Sequence, residues 1–182
     1  MRRRLLLTAG LLLLAACSRP EPPRTTVQQY MEGEINPAAE FLFHSVQEIA
    51  DEHGARLKAP QTPAEWREVR EQAAVLQRAP ELLTARGLKV APPGFKAENP
   101  PVESEPAWIQ KAMDANRADF DRHALRLKAA ADAVALAAEA QDPRAMQRAL
   151  DGVDKACESC HLHYFYPNDR RAWLQAREDG VE

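Results

Sequence analysis

The chain has little of what a β-sheet protein or a nucleic-acid-binding protein requires. Glycine occurs only seven times in 182 residues, and runs of β-branched residues, which strands favour, are few. Basic residues are dispersed among acidic ones, and no basic run is followed by aromatic residues on which bases can stack. We therefore expect an all-α protein, without paired strands, that does not bind nucleic acid.

A long hydrophobic run is also absent. The longest apolar stretch, Leu5–Ala16, is shorter than the roughly 20 residues that span a bilayer. Arg2–Arg4 precede it and Cys17 follows it directly. This arrangement is typical of an export signal, and removal of its arginines makes the formal net charge of −3 more negative. We expect an acidic surface that suits soluble protein partners.

The end of this signal resembles the lipobox of bacterial lipoproteins, on the residues Leu14-Ala15-Ala16-Cys17. The resemblance implies cleavage before Cys17, acylation of that cysteine, and a periplasm-facing lipoprotein of a bacterial cell envelope. Ser18 favours the outer membrane over the inner one. The alternative is an ordinary cleavage site with an incidental cysteine. The predicted organisation is a signal peptide (1–16), a tether (17–25), one domain (26–167) and a C-terminal tail (168–182).

Cysteine is scarce, so its placement is informative. Of three cysteines, Cys157 and Cys160 stand with His161 in a C-x-x-C-H motif, the pattern by which haem is attached through two thioethers while the histidine ligates its iron. On a helix these positions share one face. The motif predicts one covalently bound haem c, with His161 as an iron ligand.

The cysteine pair has three other interpretations. A thioredoxin-like dithiol is expected in a βαβ setting, which this sequence does not predict. Half of a zinc site needs a second pair of ligands at metal-ligand spacing. A disulfide between Cys157 and Cys160 is the remaining alternative. None of the three fits the motif as well as haem attachment.

Prolines divide the rest of the chain into four amphipathic segments. The predicted helices run over Thr26–His53, from Thr62 to about Pro80 with one further turn, from Ser104 to Ala140, and from Asp142 to Pro167. Pro37 should kink the first helix near Gly33 to Asn36, and Asn116 is expected on the buried face of the third. Such helices predict an antiparallel four-helix bundle with the haem motif at the end of the last helix.

A haem motif in that position resembles the cytochrome c-prime family, including its low-spin, methionine-ligated relatives. The resemblance rests on Cys157-Glu158-Ser159-Cys160-His161, with Tyr164 three residues further on, and covers about residues 26–166. It implies thioethers at both cysteines and His161 as the proximal ligand. In the low-spin members a methionine near the start of the first helix ligates the iron. Met31 stands at that place and is the expected distal ligand.

Other residues compete for roles at this site. His123, in the third helix, is the rival distal ligand, although a histidine there is more often hydrogen-bonded within the core. Met31 can equally be a core filler. Tyr164, Phe165 and Tyr166 are expected to cover the proximal side of the haem, with plain packing as the alternative.

These residues predict a one-electron carrier and not an enzyme. The protein would exchange electrons with extracytoplasmic redox proteins while a lipid at Cys17 holds it at the membrane. The alternative is a high-spin haem module that binds small gases such as nitric oxide or carbon monoxide. The sequence leaves the oligomeric state open, a homodimer included.

Overall fold

A computed structural model describes residues 25–52, 54–100 and 102–166. Cys17, the predicted signal peptide and the tail 168–182 lie outside the described residues. In chain order the elements are α1 (Val27–Tyr30), a first π-helical turn (Met31–Ile35), α2 (Asn36–Ser45), β1 (Gln47–Asp51), β2 (Gly54–Lys58), α3 (Pro63–Leu83), α4 (Pro106–Ala115), α5 (Arg117–Glu139), α6 (Pro143–Cys160) and a second π-helical turn (His161–Phe165).

The helices form the predicted antiparallel bundle. Helix α3 packs on α5, α5 packs on α6, and α2 contacts both α3 and α6. The protein is mostly helical, with one small sheet. Its interior is apolar, and the largest fully buried aliphatic side chains are Ile35, Leu42, Leu76, Met113, Met146, Val27, Val69, Val134 and Val153. Burial of these stripes holds the helices together.

Helices α3 and α6 begin where the sequence predicts, and each start is capped by a side chain. The Thr62 hydroxyl accepts a hydrogen bond from the Glu65 N–H (3.2 Å), and the Glu65 carboxylate accepts one from the Thr62 N–H (2.9 Å). Asp142 caps α6 by accepting bonds from the N–H groups of Arg144 (2.9 Å) and Ala145 (3.0 Å). The helix that carries the haem motif is therefore anchored at its start.

The first helix ends earlier than expected. The prediction of a helix over Thr26–His53 is wrong beyond Ser45, where Val46 turns to extended backbone. Strands β1 and β2 form an antiparallel hairpin there, so the expected absence of paired strands is also wrong. Gly54, the first residue of β2, pairs with Asp51 and has a φ of 112°, a conformation that side chains disfavour.

The third predicted helix, Ser104–Ala140, is two helices. Asn116 separates α4 from α5 with φ −142° and ψ 64°, and its side chain accepts a hydrogen bond from the Asp119 N–H (3.3 Å). Asn116 is exposed, so its expected inward placement is wrong. Asparagine competes with helical hydrogen bonds and favours the cap position, which explains the break.

The bend expected near Gly33–Asn36 takes the form of the first π-helical turn. Pro37 has no N–H to donate to the preceding turn. The N–H of Asn36 instead donates to the carbonyl of Met31, five residues earlier, which widens the helix by one residue. The proline therefore determines how the backbone around Met31 is wound.

Candidate haem site

Cys157 and Cys160 lie one turn apart at the end of α6. Both are free thiols, partly exposed, and pack against the hydrophobic core. Burial raises the pKa of Cys157 to about 11 and that of Cys160 to about 12. The thiols are therefore protonated at neutral pH, whereas disulfide exchange needs a thiolate. This environment does not suit a redox dithiol.

His161 begins the second π-helical turn, directly after α6. Its carbonyl accepts a hydrogen bond from the N–H of Tyr166 (2.8 Å), and its ring meets Phe165 edge-on with centroids 5.7 Å apart. Burial lowers the pKa of His161. The imidazole is therefore held neutral, which is the form that ligates metals.

A cavity of about 370 Å³ opens beside this turn, within the ~300–1,000 Å³ range of ligand pockets. A second, smaller cavity of about 40 Å³ adjoins it and is lined by Cys157 and Cys160. Met31 and His161 line both cavities. The two attachment cysteines and the two expected iron ligands thus surround one continuous region.

Met31 is partly exposed and begins the first π-helical turn, as His161 begins the second. The Met31 carbonyl accepts a hydrogen bond from the Asn36 N–H, and the His161 carbonyl accepts one from the Tyr166 N–H. Each bond closes a π-helical turn. Such turns are rare and often occur at functional sites. Met31 and His161 thus line the same two cavities, and Met31 as the distal ligand stays a prediction.

His123 also lines the smaller cavity, but its ring faces protein groups. Its Nδ1 lies 3.2 Å from the hydroxyl of Ser159, and its Nε2 lies 3.7 Å from a carboxylate oxygen of Asp119. The side chain is 7% exposed, and burial lowers its pKa. This geometry supports the interpretation of His123 as a hydrogen-bonded core histidine and not as the distal ligand.

The aromatic residues after the motif have different surroundings. Tyr164 is buried, donates a hydrogen bond to the Asp119 carboxylate (3.1 Å), and packs edge-on against Phe120 at 5.3 Å. It lines neither cavity, whereas Phe165 lines both and Tyr166 lines the larger. Tyr164 as a haem contact stays a prediction, and Phe165 has the better placement for one.

The segment between α3 and α4 forms a wall that sequence reasoning missed. Lys89 and Val90 accept backbone hydrogen bonds from Val27 (2.8 Å) and Gln28 (2.9 Å), and the Ser104 N–H donates to the carbonyl of Phe165 (2.8 Å). The segment is thereby tied to both ends of the site. Its contributions to the larger cavity include Val90, Ala91, Phe95, Ala97, Glu98 and Glu103. The segment is rich in proline and has no hydrophobic periodicity, so its sequence does not predict that it lines the cavity.

Together these residues fit a covalently attached haem. The two thiols are spaced one turn apart beside an apolar cavity, and a neutral imidazole and a thioether line the same space. Imidazole with thioether is a known axial ligand pair of c-type haem.

Comparison with known proteins supports a haem protein. A family model described as Cytochrome C' matches residues 42–164. No curated protein and no solved structure matches the chain. Proteins of this family are c-type haem proteins, with haem bound covalently, that transfer electrons or bind gases, and they are typically periplasmic. In the described part of the chain, none of the helices has the length and hydrophobicity to cross a bilayer.

Proposed function

Because the chain belongs to the cytochrome c-prime family, we propose that it is a membrane-anchored, extracytoplasmic electron carrier with one haem c. Cys157 and Cys160 form the thioethers, and His161 and Met31 are the axial ligands. The observation that carries this proposal is that Met31 and His161, each at the start of a π-helical turn, line the same two cavities.

The protein's own residues prepare this site for electron transfer. When bound, the haem supplies one-electron redox chemistry. The hydrogen bond from Tyr166 and the contact with Phe165 hold the His161 ring region in place. A methionine ligand and an apolar interior both favour the reduced state, because they disfavour the additional charge of ferric iron. With both axial positions filled by side chains, no position is left for a substrate, so we propose a carrier and not an enzyme.

Acidic residues on the larger cavity suggest the chemistry of the partner. Glu32, Glu98 and Glu103 line it. Complementary charge steers association between redox proteins, so we propose a partner with a basic patch around its own cofactor. A lipid on Cys17, preferentially in the outer membrane, would confine this exchange to the periplasmic side of the envelope. A monomer and a homodimer are both compatible with this arrangement.

Gas binding is the second candidate function. The smaller cavity is almost wholly apolar, with Ile35, Phe120 and Leu127 among its lining residues. If the Met31 sulfur does not bind the iron, this space suits a small neutral ligand such as nitric oxide or carbon monoxide. The role of Met31 therefore separates the two functions.

Replacement of Met31 tests the proposal. Met31→Ala removes the thioether, so the holoprotein should change from low-spin to high-spin, its reduction potential should fall, and its ferrous form should bind carbon monoxide faster. The measurements are visible absorption spectra, a redox titration and carbon monoxide binding.

Met113→Ala is the matched control, because Met113 is fully buried on α4 and lines neither cavity. It should cost stability, about 2–5 kcal/mol, without changing the spin state. A Met31→Ala protein whose spectrum equals that of the wild type would refute the assignment. If His123→Ala, and not Met31→Ala, changes the spin state, His123 is the distal ligand.

A further inference from the structure

Three potential metal ligands converge behind the haem motif. The Nε2 atoms of His123 and His163 lie 3.7 Å and 3.5 Å from the same carboxylate oxygen, Oδ2 of Asp119. One ligand atom from each of the three residues falls within 4.8 Å of the others. Asp119 and His123 share a face of α5 because they are four residues apart, and His163 comes from the second π-helical turn.

Neighbouring groups orient two of these ligands. The Ser159 hydroxyl lies 3.2 Å from Nδ1 of His123 and itself donates to the Ala156 carbonyl (3.1 Å). Because the Ser159 hydroxyl proton is used in that bond, its oxygen accepts a hydrogen bond from Nδ1–H of His123. The lone pair of the His123 ring is then on Nε2, toward Asp119. The other oxygen of Asp119, Oδ1, accepts from Arg122 (2.5 Å), and Oδ2 retains a lone pair after accepting from Tyr164. Such supporting contacts are typical of metal sites.

We propose that Asp119, His123 and His163 bind one divalent cation of the zinc class, with water in the fourth position. This site needs His123 as a ligand, so it rests on the proposed assignment of Met31, and not His123, as the distal iron ligand.

The ligand spacing is close to what zinc requires. Metal–ligand distances of about 2.0–2.2 Å in a tetrahedral site place the ligand atoms about 3.4 Å apart. The two pairs with Asp119 are already near that value. His163 is 40% exposed, and its ring centroid lies 5.6 Å from that of His123. That exposure also gives the cation a path from solvent.

The type of ligand determines the type of cation. Two imidazoles with one carboxylate suit Zn²⁺ and Cu²⁺, whereas Ca²⁺ and Mg²⁺ prefer oxygen ligands. Three protein ligands with water in the fourth position is an open arrangement, unlike the closed four-ligand sites of structural zinc. Arg122 lies beside Asp119 and lowers the attraction for a cation, so we expect reversible binding and not a permanent structural zinc.

Zinc titration of the haem-loaded protein tests the site. Isothermal titration calorimetry should show one Zn²⁺ per haem. His163→Ala and Asp119→Asn should each weaken that binding at least about tenfold, while the haem absorption spectrum stays that of the wild type. His44→Ala is the matched control, because His44 is an exposed histidine on α2 whose Nδ1 contacts only the Glu40 carbonyl of its own helix (2.8 Å). It should leave zinc binding unchanged.

A second probe identifies the ligands. Cu²⁺ added to the wild-type holoprotein should give an electron paramagnetic resonance signal coupled to two imidazole nitrogens, reduced to one in His163→Ala. Absence of zinc binding by the wild type, or zinc binding by His163→Ala and Asp119→Asn equal to that of the wild type, would overturn the proposal.

Discussion

At the scale of single residues, burial decides the chemistry of the haem motif. It raises the pKa values of both thiols and lowers that of the His161 imidazole. All three groups are therefore neutral at pH 7. The thiols remain available for thioether formation, and the imidazole remains available for iron.

The attachment cysteines make the first prediction. Cys157→Ala should leave one thioether at most, so maturation should be impaired and the fraction of chains that carry a covalent haem should fall. Haem retention on a denaturing gel and intact mass spectrometry measure this. Glu158→Ala, an exposed change between the two cysteines, should retain the haem. Extraction of the wild-type pigment by acidified acetone would contradict covalent attachment.

Some roles of single residues could be predicted and others could not. The C-x-x-C-H motif predicts its chemistry by spacing alone, because positions i, i+3 and i+4 share a helical face. The contacts of His123 could not be predicted, because Asp119 and His163 reach it from a different turn and a different element. The different placement of Phe165 and Tyr164 could not be predicted either. It depends on the register of the second π-helical turn, which has no sequence signature.

At the scale of elements, prolines predicted helix starts better than periodicity predicted helix ends. Helices α3 and α6 begin directly after Thr62 and Asp142, each followed by a proline, as expected. The spacing of Val46 and Ile49 favours a helix, because residues three apart lie on opposite faces of a strand. The pairing of β1 with β2 overrides this local preference. Pairing is a non-local interaction, which periodicity within one segment does not report.

The cap of α6 makes a prediction about pH. The hydrogen bond from the Ala145 N–H, together with that from Arg144, lowers the pKa of Asp142 below its ordinary value. A carboxyl group with a lowered folded-state pKa contributes stability above its unfolded pKa, about 3.9, and loses it as the pH falls through the folded value. Asp142→Ala should therefore lower the Tm at neutral pH, and the difference from wild type should shrink below about pH 4.

Thermal unfolding of the holoprotein from neutral to acidic pH measures this difference. Asp151→Ala, an exposed change inside α6, is the matched control and should hold or raise the Tm, because alanine favours helix. A Tm difference for Asp142→Ala that persists unchanged at the lowest pH would contradict the role of the charged cap.

At the scale of the whole molecule, the bundle and the α3–α4 segment together make the cavity. The bundle brings the two π-helical turns to one region, and the segment closes its side through backbone hydrogen bonds to α1 and Phe165. The four-helix architecture could be predicted from composition and proline spacing. The enclosing role of the segment could not, because it depends on hydrogen bonds between distant parts of the backbone.

The predicted location at the membrane depends on Cys17, outside the described residues. If Cys17 is acylated, the wild-type protein should be recovered in the membrane fraction with an acylated N-terminal cysteine, because two or more acyl chains anchor stably. Cys17→Ser should move the mature protein to the soluble periplasmic fraction while its haem spectrum stays the same. Wild-type protein found wholly in the soluble fraction and cleaved elsewhere would overturn the lipoprotein prediction.

The spin state of the ferric iron in the purified wild-type protein tests the central claim most directly. With His161 and Met31 as axial ligands, the electron paramagnetic resonance spectrum at neutral pH should be that of a low-spin, six-coordinate haem. A high-spin spectrum would show that Met31 does not bind the iron, and the gas-binding function would then replace the electron carrier.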